Sequence, residues 1–358
     1  MSVLVILVLL FAVSGFFSFV LRFFALKGLQ CTRSFSVPAA HEGDSVEVIE
    51  VVRNDRPLIV PWLRLESRIS GHLHFGRQEN LGVSGDMYHR SLFMLMPYQQ
   101  ITRRHKVHLA KRGSYDIGNA TLTAGDLMGW ICASTEQHGD ARLVVYPKLL
   151  DPSEMPTPFY RMLGDTIVPR QLLQDPFLVN GIRPYQFRDN VRDIHWAATA
   201  RTGELQVRTH DFTAETRLMV VINGQLSYHQ WGSLMEYEQG PVEHAISMAA
   251  TLCTQVLRSG LPCGFASNMP SCEENACTVL PPSAGAAREE ELLSAMAHLR
   301  IKFIKNFHEF LDELSGMTGV DFLLITAYTC PEIENRIEEM RHRGNTVHVH
   351  LLETEVAA

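Results

Sequence analysis

Leu218-Met219-Val220-Val221-Ile222-Asn223-Gly224-Gln225-Leu226-Ser227 is the stretch on which the fold of this 358-residue chain turns. Its first five residues are apolar without alternation. A strand of that kind is buried on both faces, as central strands of parallel sheets are. The sequence downstream agrees. Pro241 opens a helix that runs to Arg258, with Ile246, Ala249, Cys253 and Val256 on one stripe and Gly260 beyond its end. Arg288 to Leu299 and Phe303 to Leu314 read as further helices. Phe322-Leu323-Leu324-Ile325 repeats the buried-strand pattern. Pro331 then begins a helix with Ile333, Ile337 and Met340 facing inward, and Gly344 closes it. Val347, Val349 and Leu351 form a last strand. Strand and helix alternate, which predicts a doubly wound α/β domain over residues 215–358.

Upstream the apolar period shortens toward two. Val46, Val48 and Glu50 share one face of a strand that follows the turn at Gly43-Asp44. Trp62 to Glu66, Tyr88 to Met96 and Ile101 to Leu109 read as further strands. Turn residues at Asn54-Asp55, Gly82, Gly113 and Gly118 separate them. Short strands with regular turns predict an antiparallel β-sandwich over residues 28–150. The basic residues Arg103, Arg104, Lys106, Lys111 and Arg112 read as a solvated strand face rather than a patch for acidic lipid.

The first apolar run extends from Val3 to Leu21, interrupted only by Ser14, Gly15 and Ser18. About 20 such residues span a bilayer core. A secretory signal would carry its charge before the run. Here Arg22, Lys27 and Arg33 follow it, which predicts a single-pass anchor over residues 1–27 in the inner (cytoplasmic) membrane, with the bulk of the chain in the cytoplasm. The expected architecture is therefore α+β and multidomain: an N-terminal transmembrane helix, an antiparallel β-sandwich, a linking segment over 151–214, and the α/β domain.

Charge and composition narrow the function. The net charge of −7 argues against a nucleic-acid binder, which needs a clustered cationic surface. The seven cysteines have no paired spacing, which fits reduced thiols rather than a disulfide framework. Cys263, Cys272 and Cys277 lack the spacing of a zinc knuckle. His72/His74 and His348/His350 place two imidazoles on one strand face, but no acid or thiol completes either set locally. No nucleophile elbow and no glycine-rich phosphate loop is present. The chain is expected to be neither an enzyme nor a cofactor binder.

The densest polar stretch runs from Gly181 to Arg208. It holds Arg183, Arg188, Arg192, Arg201 and Arg208 together with Asp189, Asp193, Tyr185 and Trp196. Guanidinium–carboxylate pairs could lock an irregular segment into one shape, and Trp and Tyr suit a contact surface. Asp189, Asp193 and His195 could also form an acid–base set, though an Arg–Asp lattice is the simpler reading.

The spacing of Arg183, Tyr185, Asp189, Arg192, Ile194, Trp196, Ala200, Arg201 and Gly203 resembles the signature of the domain of unknown function 58 family. Arg112-Gly113-Ser114-Tyr115, Asp126-Leu127-Met128-Gly129 and Val145-Tyr146-Pro147 are similar to further motifs of that family. Two positions depart from it. Leu127-Met128 replaces Pro-Phe, and His195 stands where an acid or amide is commoner.

The resemblance implies a von Willebrand factor A-like domain for residues 215–358. It also implies the company of a MoxR-type AAA+ ATPase and of a transglutaminase-like protein. Domains of that type often hold Mg²⁺ through a D-x-S-x-S sequence. The matching positions here are Asn223, Gln225 and Ser227, where a neutral amide is a poor substitute for a carboxylate. The expectation is a membrane-anchored, cytoplasm-facing scaffold or adaptor that binds partner proteins in their assembly or maturation. Arg183, Tyr185, Asp189, Arg192, Asp193, Trp196, Arg201 and Gly203 would carry it, as contact surface or as brace. A metal-dependent ligand-binding or adhesion module is the alternative reading, and a hydrolase of unknown type is the second alternative.

Overall fold

The computed structural model describes residues 5–13, 15–16, 27–75, 81–84, 88–125, 132–156, 174–186, 191–212, 217–230, 234–272 and 275–352. The chain divides into two compact units, Met1–Lys148 and Leu149–Ala358.

The expected transmembrane helix is not found. The described helix near the N-terminus covers residues 5–13, which is about 14 Å at 1.5 Å per residue and less than half of a bilayer core. Among the described residues no helix is long and apolar enough to cross a membrane. The predicted anchor, and the fold class that included it, are corrected accordingly. Residues 3, 4, 14 and 17–21 of the apolar run lie outside the described residues.

The first unit holds three sheets. One has the order β1 (Leu29–Phe35), β3 (Ser45–Asn54), β8 (Gln100–Leu109), β5 (Leu73–Phe75). The second has the order β11 (Cys132–Gln137), β10 (Ala120–Gly125), β4 (Val60–Arg68), β7 (Tyr88–Leu95), β6 (Leu81–Ser84). The third joins β2 (Ala39–His41), β12 (Arg142–Tyr146) and β9 (Gly113–Asp116). Alternation decides what each strand buries. On β3, Val46, Val48, Glu50 and Val52 face inward, while Arg104 and Lys106 of the paired β8 point to solvent. Arg103 departs from the solvated-face reading, because its guanidinium carbon lies 4.0 Å from the centre of the Phe93 ring.

Glu50 is fully buried and ties the first two sheets together. Arg33 Nε and Nη2 donate to Glu50 Oε1 at 3.0 and 2.6 Å. From the other sheet, Ser91 Oγ donates to Glu50 Oε2 at 3.0 Å. His105 Nε2 lies 3.2 Å from the same oxygen, and Arg33 Nη2 lies 3.1 Å from His89 Nδ1. One apolar cluster around Val52, Leu63, Leu65 and Phe93 and another around Val48, Val107, Leu109 and Leu143 complete the interior. Burial alone would push the Glu50 carboxyl up. The His105 hydrogen bond and the Arg33 charge outweigh it and bring the carboxyl down from 4.5 to about 2. Burial pushes His89 down from 6.5 to about 4 against the pull of Glu50.

In the second unit, β13 (Gln174–Pro184) and β14 (Gln206–Phe212) form an antiparallel ribbon, and α1 (Trp196–Thr202) lies between them in sequence. The five-stranded sheet has the order β17 (Cys277–Ser283), β16 (Cys263–Pro270), β15 (Arg217–Ile222), β18 (Val320–Thr326), β19 (Thr346–Leu351). Every pairing is parallel except β16 with β17. The helices are α2 (Gly240–Arg258), α3 (Ala286–Ala297), α4 (Phe307–Leu314) and α5 (Pro331–His342). Phe307, Phe310, Ile333 and Ile337 of α4 and α5 pack on Met219, Val221, Phe322 and Leu324. By alternation Leu218, Val220 and Ile222 point to the opposite face, where α2 covers β15 and β16. Both faces of β15 are thus buried, which is why its sequence is continuously apolar.

Acidification should lower the stability of the first unit over two overlapping pH windows. Both groups bind fewer protons folded than unfolded, so stability rises with pH across their windows. Stability supplied by neutral His89 should fall as pH drops from 6.5 to about 4, and that supplied by Glu50 from 4.5 to about 2. Urea midpoints measured from pH 7 to 2 check this, and His89→Gln should flatten the upper window. Glu50→Gln leaves the Arg33 charge buried without its partner and should cost about 3–5 kcal/mol at pH 7.

Candidate functional site

Two features of the second unit draw functional residues together. The first is the crevice at the carboxyl ends of β15 and β18, where the strand order reverses. Open α/β sheets bind ligands at this place. Asn223, Gly224 and Gln225 follow β15, Thr326 ends β18, and Asn268 lies near the end of β16. Asn223, Gln225, Asn268 and Thr326 are buried. Asn223 Nδ2 donates to Thr326 Oγ1 at 3.0 Å. Asn223 Oδ1 accepts from the Gln225 amide at 3.0 Å and from Asn268 Nδ2 at 3.3 Å. Asn268 Oδ1 accepts from the Gly224 amide at 2.8 Å, and Gln225 Oε1 from the Phe307 amide at 2.9 Å. Gly224 is needed there, because a Cβ would lie 2.4 Å from Met269 Cγ.

The four side chains bond to one another and to nearby backbone groups, Asn268 Nδ2 donating also to Lys305 O at 3.2 Å and Thr326 Oγ1 to Tyr328 O at 2.8 Å. Carboxamides supply both kinds of group, whereas a cation would require oxygens turned toward one point. Ser227, the third position of the degenerate set, is exposed. The rim of the crevice is aromatic. The Tyr228 ring lies 4.9 Å from His229 and 6.5 Å from both His308 and Tyr328.

The second feature is the signature segment. Arg183 lies on β13 opposite Val207, and the Tyr185 amide donates to Leu205 O at 2.8 Å. Ile194 bridges to Val207, and both are buried. His195 is the N-cap of α1: its Nδ1 accepts from the Ala198 amide at 3.0 Å. That explains the departure seen in the sequence. The position needs a side-chain acceptor, which Asp or Asn commonly supplies and a neutral imidazole also offers. Gly203 ends the helix at φ 77°, the left-handed conformation that glycine adopts without penalty.

At 100° per residue, Trp196, Ala200, Ala197 and Arg201 span the exposed arc of α1, while Thr199 Oγ1 accepts from the Gln206 amide at 3.0 Å on the inner side. Trp196 is 67% exposed and Arg201 is exposed, with two alanines between them. Ile182, Val191 and Leu205 add exposed apolar surface to the same segment. Asp193 is half-buried in the turn before α1. Asp189 lies outside the described residues. Arg192 is placed in that turn, but its side chain lies outside them. The Asp189–Asp193–His195 acid–base reading finds His195 engaged in capping.

Sequence reasoning missed one constellation. Glu50, His89 and His105 offer ligand atoms all within 4.8 Å of one another, a donor set suited to a transition metal. The Arg33 guanidinium lies at hydrogen-bonding distance from Glu50 Oε1 and His89 Nδ1. A metal would meet that positive charge at contact range, so the set is better described as an ion pair with two histidines. The signal was present in the sequence: Glu50 interrupts an otherwise apolar strand face.

The second unit is an α/β module whose switch point is closed by amides and whose signature segment presents an exposed tryptophan. Residues 181–357 match the model of the family described as "Protein of unknown function DUF58". No curated protein matches. Among solved structures, a part of native alpha-2-macroglobulin from Escherichia coli is similar at 14% identity and a TM-score of 0.27, over 34% of this chain and 24% of that one. This chain thus spans about a quarter of that protein's length. A CARDB domain from Pyrococcus furiosus is similar at 13% identity and a TM-score of 0.20, over 33% and 96% of the two chains. A non-cellulosomal cohesin from Archaeoglobus fulgidus is similar at 11% identity and a TM-score of 0.22, over 32% and 91%. Likeness of this degree assigns no function.

The lattice makes a prediction of its own. Asn223→Asp removes the donor to Thr326 and buries a charge, so it should lower stability by about 3 kcal/mol in urea unfolding of the second unit. Millimolar Mg²⁺ should not restore the loss.

Proposed function

We propose that this protein is an adaptor that binds a partner protein through the signature segment, with Trp196 and Arg201 as its anchors. The observation that carries this reading is the exposure of Trp196. An exposed indole offers a large apolar area with one polar tip for a partner to bury. Arg201, across two alanines, adds planar donors for a carboxylate or a backbone carbonyl. Interfaces concentrate their energy in such Trp and Arg residues.

A MoxR-type AAA+ ATPase is the partner proposed, from the company that the family resemblance implies, and a transglutaminase-like protein is the second candidate. We read the α/β unit as von Willebrand factor A-like, with the Asn223–Gln225–Asn268–Thr326 lattice standing where a metal-dependent relative would use a cation. That favours docking by side-chain contact over metal-bridged adhesion.

The test is capture of partners from native extracts with tagged full-length protein, beside Trp196→Ala and Arg201→Ala. Each variant should weaken recovery of an ATPase by at least about tenfold, with far-UV circular dichroism unchanged because both side chains are exposed. Recovery equal to wild type in both variants would refute the assignment of the contact.

A further inference from the structure

The outer face of the β1–β3–β8–β5 sheet brings together three imidazoles from two strands. β5 pairs antiparallel with β8, with Leu73 opposite Leu109, His74 opposite His108 and Phe75 opposite Val107. The Ala110 amide donates to His72 O at 3.0 Å, which carries the same register one residue further. Leu73, Val107 and Leu109 are buried in the sandwich, and Phe75 packs on the same cluster. Alternation then turns His72, His74 and His108 to the opposite face. His74 and His108 are exposed and His72 is half-buried.

The pair His72/His74 lacks a third donor within its own strand, and β8 supplies one. Directly opposed residues of a sheet carry Cβ atoms about 4.5–5.5 Å apart, and diagonal neighbours lie about 7–8 Å apart. His74 is directly opposite His108, and His72 is its diagonal neighbour. Among the described residues no hydrogen bond or ion pair holds any of these three rings, so they are free to turn toward one point in front of the sheet. We infer that His72, His74 and His108 form a binding site for a divalent transition-metal ion of the zinc class. Three neutral imidazoles at about 2.0–2.1 Å make a zinc donor set, with the fourth position left to water.

The charges around the three rings permit a cation. Lys106 is the next residue of β8 on this face, and Glu47 stands directly opposite it on β3. Ser45, opposite His108 on the other side, is uncharged. Inside the sandwich the situation is reversed. There the Arg33 guanidinium already bonds Glu50 Oε1 and lies 3.1 Å from His89 Nδ1, so the Glu50–His89–His105 set opposes a metal that the outer set accepts. Neutral imidazole is a preferred ligand of zinc, copper and nickel, whereas Mg²⁺ and Ca²⁺ require oxygens, so the outer site should discriminate between the two groups of ions.

The test is calorimetric titration of Zn²⁺ into the untagged full-length chain, beside His74→Ala, His108→Ala and, for the buried cluster, His89→Gln. The wild type should take up one ion at this site in the micromolar range, and Mg²⁺ should give no heat. His74→Ala and His108→Ala should each weaken uptake by at least about tenfold with an unchanged circular dichroism spectrum, because both side chains are exposed. Zn²⁺ should raise the thermal midpoint of the wild type and not that of either variant. His108→Asn, which keeps a polar side chain on the strand, provides a further variant should His108→Ala misfold. Absence of Zn²⁺ uptake by the wild type overturns the inference. So does uptake that is undiminished in both His74→Ala and His108→Ala, and so does uptake lost only in His89→Gln, which would place the ion at Glu50 instead.

Discussion

Glu50 has no solvent-accessible surface, and the first unit is arranged around that fact. A lone carboxylate in such a place would be costly, and three strands of two sheets supply what it needs: Arg33, His105 and Ser91, with His89 against the guanidinium. The requirement constrains geometry more sharply than apolar contact does. A slip of one residue in β3 would turn Glu50 to solvent and leave Arg33 facing the interior. The ion pair therefore specifies register, while the apolar clusters supply most of the net stabilisation.

The second unit meets the same problem with neutral groups. Its switch point places four polar side chains at the ends of three adjacent strands, all buried. Carboxamides carry donor and acceptor on one head, so a ring of them satisfies itself without charge. Asn223 and Asn268 show this most plainly, each giving and receiving within the lattice. The crevice floor is thereby lined by groups already engaged in hydrogen bonds. What projects beyond it are the Tyr228–His308–Tyr328 rim and the exposed arc of α1.

His195 shows how a local rule shapes an exposed surface. By capping α1 it fixes where the helix begins, and Gly203 fixes where it ends. Seven residues then suffice to hold Trp196 and Arg201 at opposite limits of one exposed arc. A residue that looked like a departure from the family's pattern is an alternative solution to the same capping requirement.

The sequence by itself determined much about local elements. Unalternated apolar runs at 218–222 and 322–325 lie on β15 and β18, and the stripes of Ile246, Ala249 and Cys253 and of Ile333, Ile337 and Met340 face inward on α2 and α5. These follow from period and burial, which a linear chain records directly. The signature at 183–203 was legible as a dense constellation, but whether each side chain points in or out was not. The anchor expected over residues 1–27 rested on hydropathy, which measures how apolar a run is and not how far a helix continues. What only the tertiary structure decided is what comes from separate strands: the meeting of Arg33, Glu50, His89, Ser91 and His105, the joining of the amide lattice, and the placing of His108 opposite His74. Contacts between residues tens of positions apart depend on strand order and register, and no periodicity along the chain carries that information.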